Sequence, residues 1–201
     1  MNKILLSKVK KYVGEVFRQK GNVNIDYHNF IHTAEVVKVI EEISTALNLG
    51  IEDKEILLIA GWFHDIGYTE CYDGHEDLGI KIAKDFLRQN EYPEVKIEKV
   101  VSLISATKLP RNPRNVLEEI ICDADLHHLG TREFSKKEKL FRIELEKKNG
   151  FKMNDKVWLE ENLAFLKQHE FYTAYAKEIF GYQKIINLNK VQKELNELAE
   201  N

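Results

Sequence analysis

Apolar residues recur every three or four positions along most of this chain, which is the spacing of one face of an α-helix. The 201 residues include only three prolines and ten glycines, so few positions force a helix to end. No stretch shows the strict two-residue alternation that is typical of a half-buried strand. The pattern therefore predicts an all-α fold.

The same periodicity delimits the individual helices. Helices are predicted over residues 2–20, 52–65, 75–89, 93–106, 135–149, 153–169 and 171–199. A further helix follows the loop GNVNID, with Asp26 or Asn24 as its N-cap. Another begins near Val116, after the proline-containing and basic loop TKLPRNPRN of residues 107–115. The chain is thus expected to be a series of helices joined by short loops.

Several of the predicted apolar stripes end in a histidine. His28 and His32 extend the stripe of the second helix, and His64 follows Ile56 and Ala60 at four-residue spacing. Each histidine alone is explained by an ordinary hydrogen-bonded position in the core. Buried imidazoles on several helices, however, all need partners for two ring nitrogens. They satisfy one another by sharing a metal ion, so the set predicts a metal site.

Composition and charge argue against several other classes of protein. The length suggests one domain, and the formal net charge of −3 disfavours a protein that coats nucleic acid or a membrane surface. Cys71 and Cys122 form neither a zinc-finger spacing nor a disulfide framework. The N-terminus lacks a signal-peptide core, and no run of about 18 apolar residues occurs. We expect a soluble, cytoplasmic protein without a nucleic-acid or membrane partner.

Four sequence blocks occur in an order that resembles a known family. They are YHNFIHT, WFHDIGY, HEDLG and DADLHHLG, between about residues 27 and 130. Together they are similar to the HD superfamily of metal-dependent phosphohydrolases. FRIELEKKNG and FLKQHEFYTAYAKEIF, in the C-terminal part, resemble a subgroup of small bacterial HD proteins whose substrate is unassigned. The resemblance implies one HD-type helical bundle over residues 1–201, with a metal-binding core at about 24–130 and a helical C-terminal extension at about 131–201.

The resemblance also implies the metal ligands. Carried over residue by residue, they are His32, His64, Asp65 and Asp125. Two imidazoles and two carboxylates suit Mn²⁺, Fe²⁺, Zn²⁺ or Mg²⁺ and do not suit the metals that prefer thiolates. Four protein ligands on an octahedral ion leave room for water and a phosphate oxygen. One ion is expected, with Asp65 as the residue able to bridge to a second ion and to orient or deprotonate the attacking water.

Two further histidines receive roles by the same resemblance. The block YHNxxH resembles cyclic-nucleotide phosphodiesterases and implies that His28 is a general acid, about 6 Å from His32 if both lie on one helix face. The alternative is that His28 caps the helix or bonds to a backbone carbonyl. His75 is an additional candidate ligand for a second ion. Thr107 stands where dinuclear members place another histidine, and this departure counts against a complete second site.

Other polar residues near the expected metal ligands are candidates for binding phosphate or orienting a ligand. Lys108, Arg111 and Arg114 are the candidate phosphate-binding residues, because arginine binds phosphate bidentately and lysine as a point charge. The alternative for each is a solvated loop residue. Glu76 is expected to orient His64 or His32 through a hydrogen bond, and His128 is placed on the helix face of Asp125.

The leading functional hypothesis is a phosphohydrolase that cleaves a phosphate ester of a small metabolite, a nucleotide being the expected class, by attack of a metal-bound water. The alternatives are an HD-fold di-iron oxygenase and a non-catalytic sensor or interaction module stabilised by its metal. The aromatic residues of the C-terminal extension are expected to form core contacts or a homodimer interface.

Overall fold

The structure, a computed structural model, describes residues 1–20 and 25–200. Every regular element in these ranges is helical, which confirms the predicted all-α class. The α-helices are α1 (Lys3–Lys20), α2 (Phe30–Ala46), α3 (Ile51–Phe63), α4 (His75–Gln89), α5 (Glu94–Ala106), α6 (Val116–Asp125), α7 (Phe134–Asn149), α8 (Asp155–Gln168) and α9 (Ala174–Ala199). Short 3₁₀ helices, Ile66–Thr69 and His127–Gly130, follow α3 and α6. No helix in these ranges has an apolar stretch long enough to cross a membrane.

The chain forms two compact units, Met1–Asp125 and Leu126–Asn201. The first unit contains α1 to α6, and the second contains α7 to α9. The sequence predicted a single HD-type domain in which a metal-binding core is followed, near residue 130, by a helical extension. This assignment stays a prediction.

Helix α3 is the central helix of the first unit, where it packs against α1, α2, α4, α5 and α6. Every residue from Ile56 to Phe63 is buried. A helix that is apolar on all sides requires neighbours that cover every face, and complete burial of a side chain such as Phe63 contributes about 1.5–3 kcal/mol. The predicted inward stripe of Ile56, Ala60 and His64 is confirmed, since all three are fully buried.

Helix α2 begins later than the sequence predicted. Its N-cap is Asn29, whose side-chain oxygen accepts hydrogen bonds from the N–H groups of Ile31 at 2.9 Å and His32 at 3.2 Å. The prediction of Asp26 as the cap is wrong, and the alternative, Asn24, lies outside the described residues. Asn29 is favoured because its amide oxygen satisfies two of the N–H groups that a helix start leaves without partners.

The end of α3 and the start of α4 lie close together. Helix α3 ends at Phe63, with His64 as its C-cap, so its predicted end at residue 65 is two residues too late. A Cβ atom on Gly67 would lie 2.0 Å from the carbonyl oxygen of His75. Only glycine permits so close an approach of two backbone segments. The 3₁₀ helix that contains Gly67 therefore packs directly against α4.

The second unit is organised around α9, which packs against α8 and the 3₁₀ helix that precedes α7. The buried side-chain amide of Asn187 donates hydrogen bonds to the carbonyl oxygens of Leu129 and Thr131, both at 2.8 Å. These bonds connect α9 to the end of the short 3₁₀ helix. Trp158 and Phe171 are buried, as expected for core positions of this extension. The homodimer stays a prediction.

Candidate metal centre

Four buried ligand atoms converge in the first unit, and they belong to His32, His64, Asp65 and Asp125. His32 Nε2 lies 3.3 Å from Asp65 Oδ2 and 3.2 Å from Asp125 Oδ1. His64 Nε2 lies 3.2 Å and 3.4 Å from the same two oxygens. Ligand atoms bound to one ion at about 2.0–2.2 Å are separated by comparable distances. The group that the sequence implied can therefore hold a divalent cation.

Three helix ends bring these side chains together. His32 lies in the first turn of α2, His64 and Asp65 directly follow α3, and Asp125 is the last residue of α6. Helices α2, α3 and α6 pack against one another, so their ends meet. Each ligand follows or continues a buried apolar face, and local helical geometry therefore aims it into the unit.

Partners of the remaining ring and carboxylate atoms show how well the site fits a cation. The Nδ1–H of His64 donates to the carbonyl oxygen of Gly61 at 2.8 Å, which leaves Nε2 facing the carboxylates. His64 Nε2 and Asp65 Oδ2 are buried and close, yet their geometry is not that of a hydrogen bond, and neither atom has another partner. A buried polar atom without a partner costs about 1–3 kcal/mol. A shared cation would satisfy both atoms, so these residues fit a metal ion.

The charges of the cluster lead to the same conclusion. Burial lowers the pKa of His64, but attraction to the carboxylates of Asp65 and Asp125 outweighs burial and holds this pKa well above its usual value. Burial raises the pKa of Asp65 and of Asp125, yet the neighbouring histidines hold both pKa values well below the usual range, with Arg111 contributing most at Asp125. Two carboxylates that stay ionised while buried require positive charge beside them.

Asp65 presents its other carboxylate oxygen to a further histidine. Asp65 Oδ1 lies 3.8 Å from His75 Nε2, which in turn lies 3.5 Å from Glu76 Oε1. The Nδ1–H of His75 donates to the carbonyl oxygen of Tyr72 at 3.0 Å, so its Nε2 faces the carboxylates. Glu76 was expected beside His64 or His32 and instead lies beside His75. Metal binding by His75 stays a prediction.

His28 lies in the turn before α2, so the prediction that it shares a helix face with His32 is wrong. Its ring centroid is nevertheless 5.9 Å from that of His32. The His28 ring stacks on Tyr68, with centroids 4.0 Å apart and planes inclined by 13°. Tyr68 also stacks on His75, at 3.7 Å. Sequence reasoning missed Tyr68, and the available signal was its position three residues after Asp65.

The three basic residues in the loop after α5 have different surroundings. Lys108 Nζ lies 2.6 Å from Asp77 Oδ1 at the surface, and Arg114 is exposed. The side chain of Arg111 is only 11% exposed and donates a charge-assisted hydrogen bond to Asp125 Oδ2. Phosphate binding by these three residues stays a prediction. The pairing of Arg111 with a candidate metal ligand is a contact that sequence reasoning missed, because it depends on the path of the loop.

Three other polar positions are also defined. The buried Thr107 donates its hydroxyl to a backbone carbonyl of α5 at 2.8 Å, and Asp123 is fully buried within α6. Helix α6 ends at Asp125, so the predicted helix face from Asp125 to His128 is wrong. His128 lies in the 3₁₀ helix of the second unit, with its Nε2 3.6 Å from Glu138 Oε1.

Comparisons with known proteins identify a fold and a family. A similar solved structure is the crystal structure of a Lactobacillus plantarum protein, a structural genomics target, with a TM-score of 0.76 and 10% sequence identity over 100% of both chains. At this identity the likeness shows the fold alone. No curated protein matches the chain. The family model described as HD domain matches residues 29–130, which is half of the chain and includes all four ligand residues. The chain belongs to the HD domain family.

Proposed function

We propose that this protein is a metal-dependent phosphohydrolase that cleaves a phosphate ester of a small metabolite, with nucleotides as the first substrate class to test. The observation that carries the proposal is the buried group of His32, His64, Asp65 and Asp125, whose ligand atoms lie within 4.8 Å of one another. Membership of the HD domain family supports the reaction class. A divalent ion held by these four residues would lower the pKa of coordinated water and polarise the phosphorus centre.

Asp65 and His28 are the proposed catalytic residues. The pKa of Asp65 is held well below its usual range by the adjacent histidines. A carboxylate that resists protonation suits the role of orienting the attacking water better than the role of deprotonating it. The half-buried His28, with its ring 5.9 Å from that of His32, is close enough to the candidate metal centre to protonate the leaving oxygen of a bound ester.

The charge of the centre suits an anionic substrate. Asp65 and Asp125 are both held in the ionised form, and Arg111 contributes one positive charge beside them. A divalent ion bound by neutral imidazoles would give the two carboxylates, Arg111 and the ion one net positive charge, which attracts phosphate. Lys108 and Arg114 are proposed to bind the phosphate groups that are not cleaved.

A hydrolysis screen tests the proposal directly. The purified chain is supplied with Mn²⁺, Fe²⁺, Zn²⁺ or Mg²⁺ and assayed on nucleoside monophosphates, cyclic nucleotides, nucleoside triphosphates and generic phosphate esters. We expect release of phosphate or nucleotide product that is abolished by a chelator and by His64→Ala. A chain that binds metal and nucleotide without turnover would instead identify a sensor or interaction module.

The role of His28 is tested by the leaving group of the ester. His28→Asn removes the proposed acid, and general acid catalysis contributes about 10²–10⁴-fold. We expect hydrolysis of an alkyl phosphate to fall by this order, and hydrolysis of p-nitrophenyl phosphate to fall much less because its leaving group needs no proton. His169→Gln, in the second unit, is the matched control. Equal losses on both esters in His28→Asn would exclude the acid role.

The position of His75 is compatible with a second metal ion beside Asp65. A di-iron oxygenase is therefore the second candidate function. His75 Nε2 lies 3.8 Å from Asp65 Oδ1 and 3.5 Å from Glu76 Oε1. Metal analysis distinguishes the candidates: two irons per chain together with substrate-dependent oxygen uptake would favour the oxygenase. Hydrolysis without oxygen uptake, with either one or two ions, supports the phosphohydrolase.

A further inference from the structure

Arg111 uses its guanidinium group to contact three acceptors at the ends of two helices, α5 and α6. Its Nε–H donates to the carbonyl oxygen of Thr107 at 3.1 Å, and Nη1 donates to the carbonyl oxygen of Cys122 at 3.3 Å. Its Nη2 donates to Asp125 Oδ2. The side chain is 11% exposed, as is that of Asp125. Both terminal nitrogens and Nε therefore contact protein acceptors, which distinguishes this arginine from the exposed Arg114 in the same loop.

Two of these acceptors are backbone carbonyls at the C-terminal ends of helices. Thr107 is the C-cap of α5, and Cys122 lies in the last turn of α6. The last four carbonyl groups of an α-helix have no intrahelical donor, and the end carries partial negative charge. One buried guanidinium satisfies an acceptor at each helix end, and both ends attract its positive charge. Arg111 thereby holds the C-terminal ends of α5 and α6 together.

The third acceptor connects this arrangement to the candidate metal centre. Asp125 Oδ2 faces Arg111, whereas Asp125 Oδ1 lies 3.2 Å from His32 Nε2 and 3.4 Å from His64 Nε2. The guanidinium therefore fixes the rotation of the carboxylate and directs Oδ1 towards the two histidines. Groups that orient metal ligands from behind in this manner influence metal affinity strongly.

On the basis of the metal centre assigned under the proposed function, we propose that Arg111 is a positioning residue that aims Asp125 at the metal and fastens the loop of residues 107–115 to it. Removal of this side chain then affects both metal affinity and the order of the loop. Lys108 and Arg114 belong to the same loop. Arg111 therefore fixes the positions of these proposed phosphate-binding residues relative to the metal ligand Asp125.

Replacing Arg111 should change metal affinity in opposite directions for a positioning role and for simple charge pairing. A positive charge beside a cation site opposes cation binding by Coulomb repulsion. If Arg111 only balanced the charge of Asp125, its removal would strengthen metal binding, and lysine would replace it. If Arg111 positions Asp125, its removal weakens metal binding, and lysine is a poor substitute because a single ammonium cannot span the three acceptors.

The experiment measures Mn²⁺ affinity by calorimetry, in the full chain and without substrate, for the wild type, Arg111→Lys, Arg111→Met and Arg114→Met. We expect both Arg111 variants to bind Mn²⁺ about 10–100-fold more weakly. Arg114→Met removes the same charge from the same loop and should bind Mn²⁺ as the wild type does. Wild-type affinity in Arg111→Lys, or tighter binding in Arg111→Met, overturns the proposal.

Trypsin cleavage after Lys108, a bond present in all four proteins, reports on the loop independently of metal. Cleavage should be faster in both Arg111 variants and unchanged in Arg114→Met; unchanged cleavage in Arg111→Lys overturns the loop part of the proposal. Arg111→Lys keeps the charge and the aliphatic stem, so it remains informative if Arg111→Met does not fold. A wild type that binds Mn²⁺ but hydrolyses no ester contradicts only the proposed function, and one that binds no Mn²⁺ contradicts both.

Discussion

Each unit of the chain buries charged groups, but the two clusters are completed in different ways. In the second unit, Glu146 Oε1 accepts hydrogen bonds from Arg142 Nε and the Met153 N–H, both at 3.1 Å, and Oε2 accepts one from Lys152 Nζ at 2.6 Å. In the first unit, Asp65 Oδ2 faces two histidine nitrogens and makes no hydrogen bond.

The difference indicates what each cluster is for. A buried carboxylate whose oxygens all have donors stabilises the positions of the segments that supply those donors. A buried carboxylate that faces other ligand atoms without a donor has a coordination position left for an added cation. The Glu146 cluster is therefore structural, and the Asp65 cluster fits an added cation.

The largest expected effect comes from Asp65→Asn, which preserves shape and removes the charge. We expect loss of bound Mn²⁺ and of hydrolysis together, because the amide is a weaker ligand and leaves the cluster with one carboxylate. Metal content after dialysis and turnover on the best substrate are the measurements. Glu146→Gln is the matched control in the fully bonded cluster, and we expect it to retain metal. Full metal content in Asp65→Asn would contradict the assignment.

A smaller effect, on stability, is expected from Gly67→Ala. The new Cβ would lie 2.0 Å from the carbonyl oxygen of His75, a backbone atom that cannot move without shifting the start of α4. Overpacking of this kind costs about 1–3 kcal/mol. Urea denaturation should show a lower midpoint, and metal binding should weaken if His75 contributes to it. An unchanged midpoint would show that α4 adjusts freely.

The Glu146 cluster should be sensitive to acid. Its hydrogen bond with Lys152, followed by those with Met153 and Arg142, lowers the pKa of Glu146 below the usual value of 4.5. A depressed folded-state pKa contributes stability above the usual pKa, and this contribution is lost as pH falls through the folded-state pKa. The difference in melting temperature between wild type and Glu146→Gln should therefore be largest near pH 6 and shrink towards pH 3. A constant difference would contradict this pairing.

The smallest effect, with the opposite sign to Gly67→Ala, is expected from Gly181→Ala. Gly181 lies within α9, and a Cβ atom there would meet nothing within 4 Å. Alanine in a helix interior is more stable than glycine by about 0.5–1 kcal/mol, because glycine loses more backbone entropy on folding. Urea denaturation should show this increase. A destabilised Gly181→Ala would mean that this face of α9 is covered in solution.

The sequence alone predicted the helices, apart from some of their ends, and the four residues of the candidate metal site. Helix α4 was predicted over residues 75–89 and is observed as His75–Gln89. Periodicity is a local property, because neighbours on a helix face are three or four residues apart. His64 could be assigned an inward direction for the same reason, as the residue that ends the stripe of Ile56 and Ala60.

Only the tertiary structure decided which atoms meet. Asn29 is the cap of α2 in place of the predicted Asp26, and this choice places His28 in a turn, with its ring stacked on Tyr68. Arg111, a candidate phosphate-binding residue, donates to Asp125, a contact that the sequence did not predict. The physical reason is that these contacts join different segments, whose distance in space depends on loop paths and helix packing. Helical periodicity predicts neighbours within one helix and gives no information about such contacts. Residue types predicted the chemistry of the centre, and packing selected the partners of each atom.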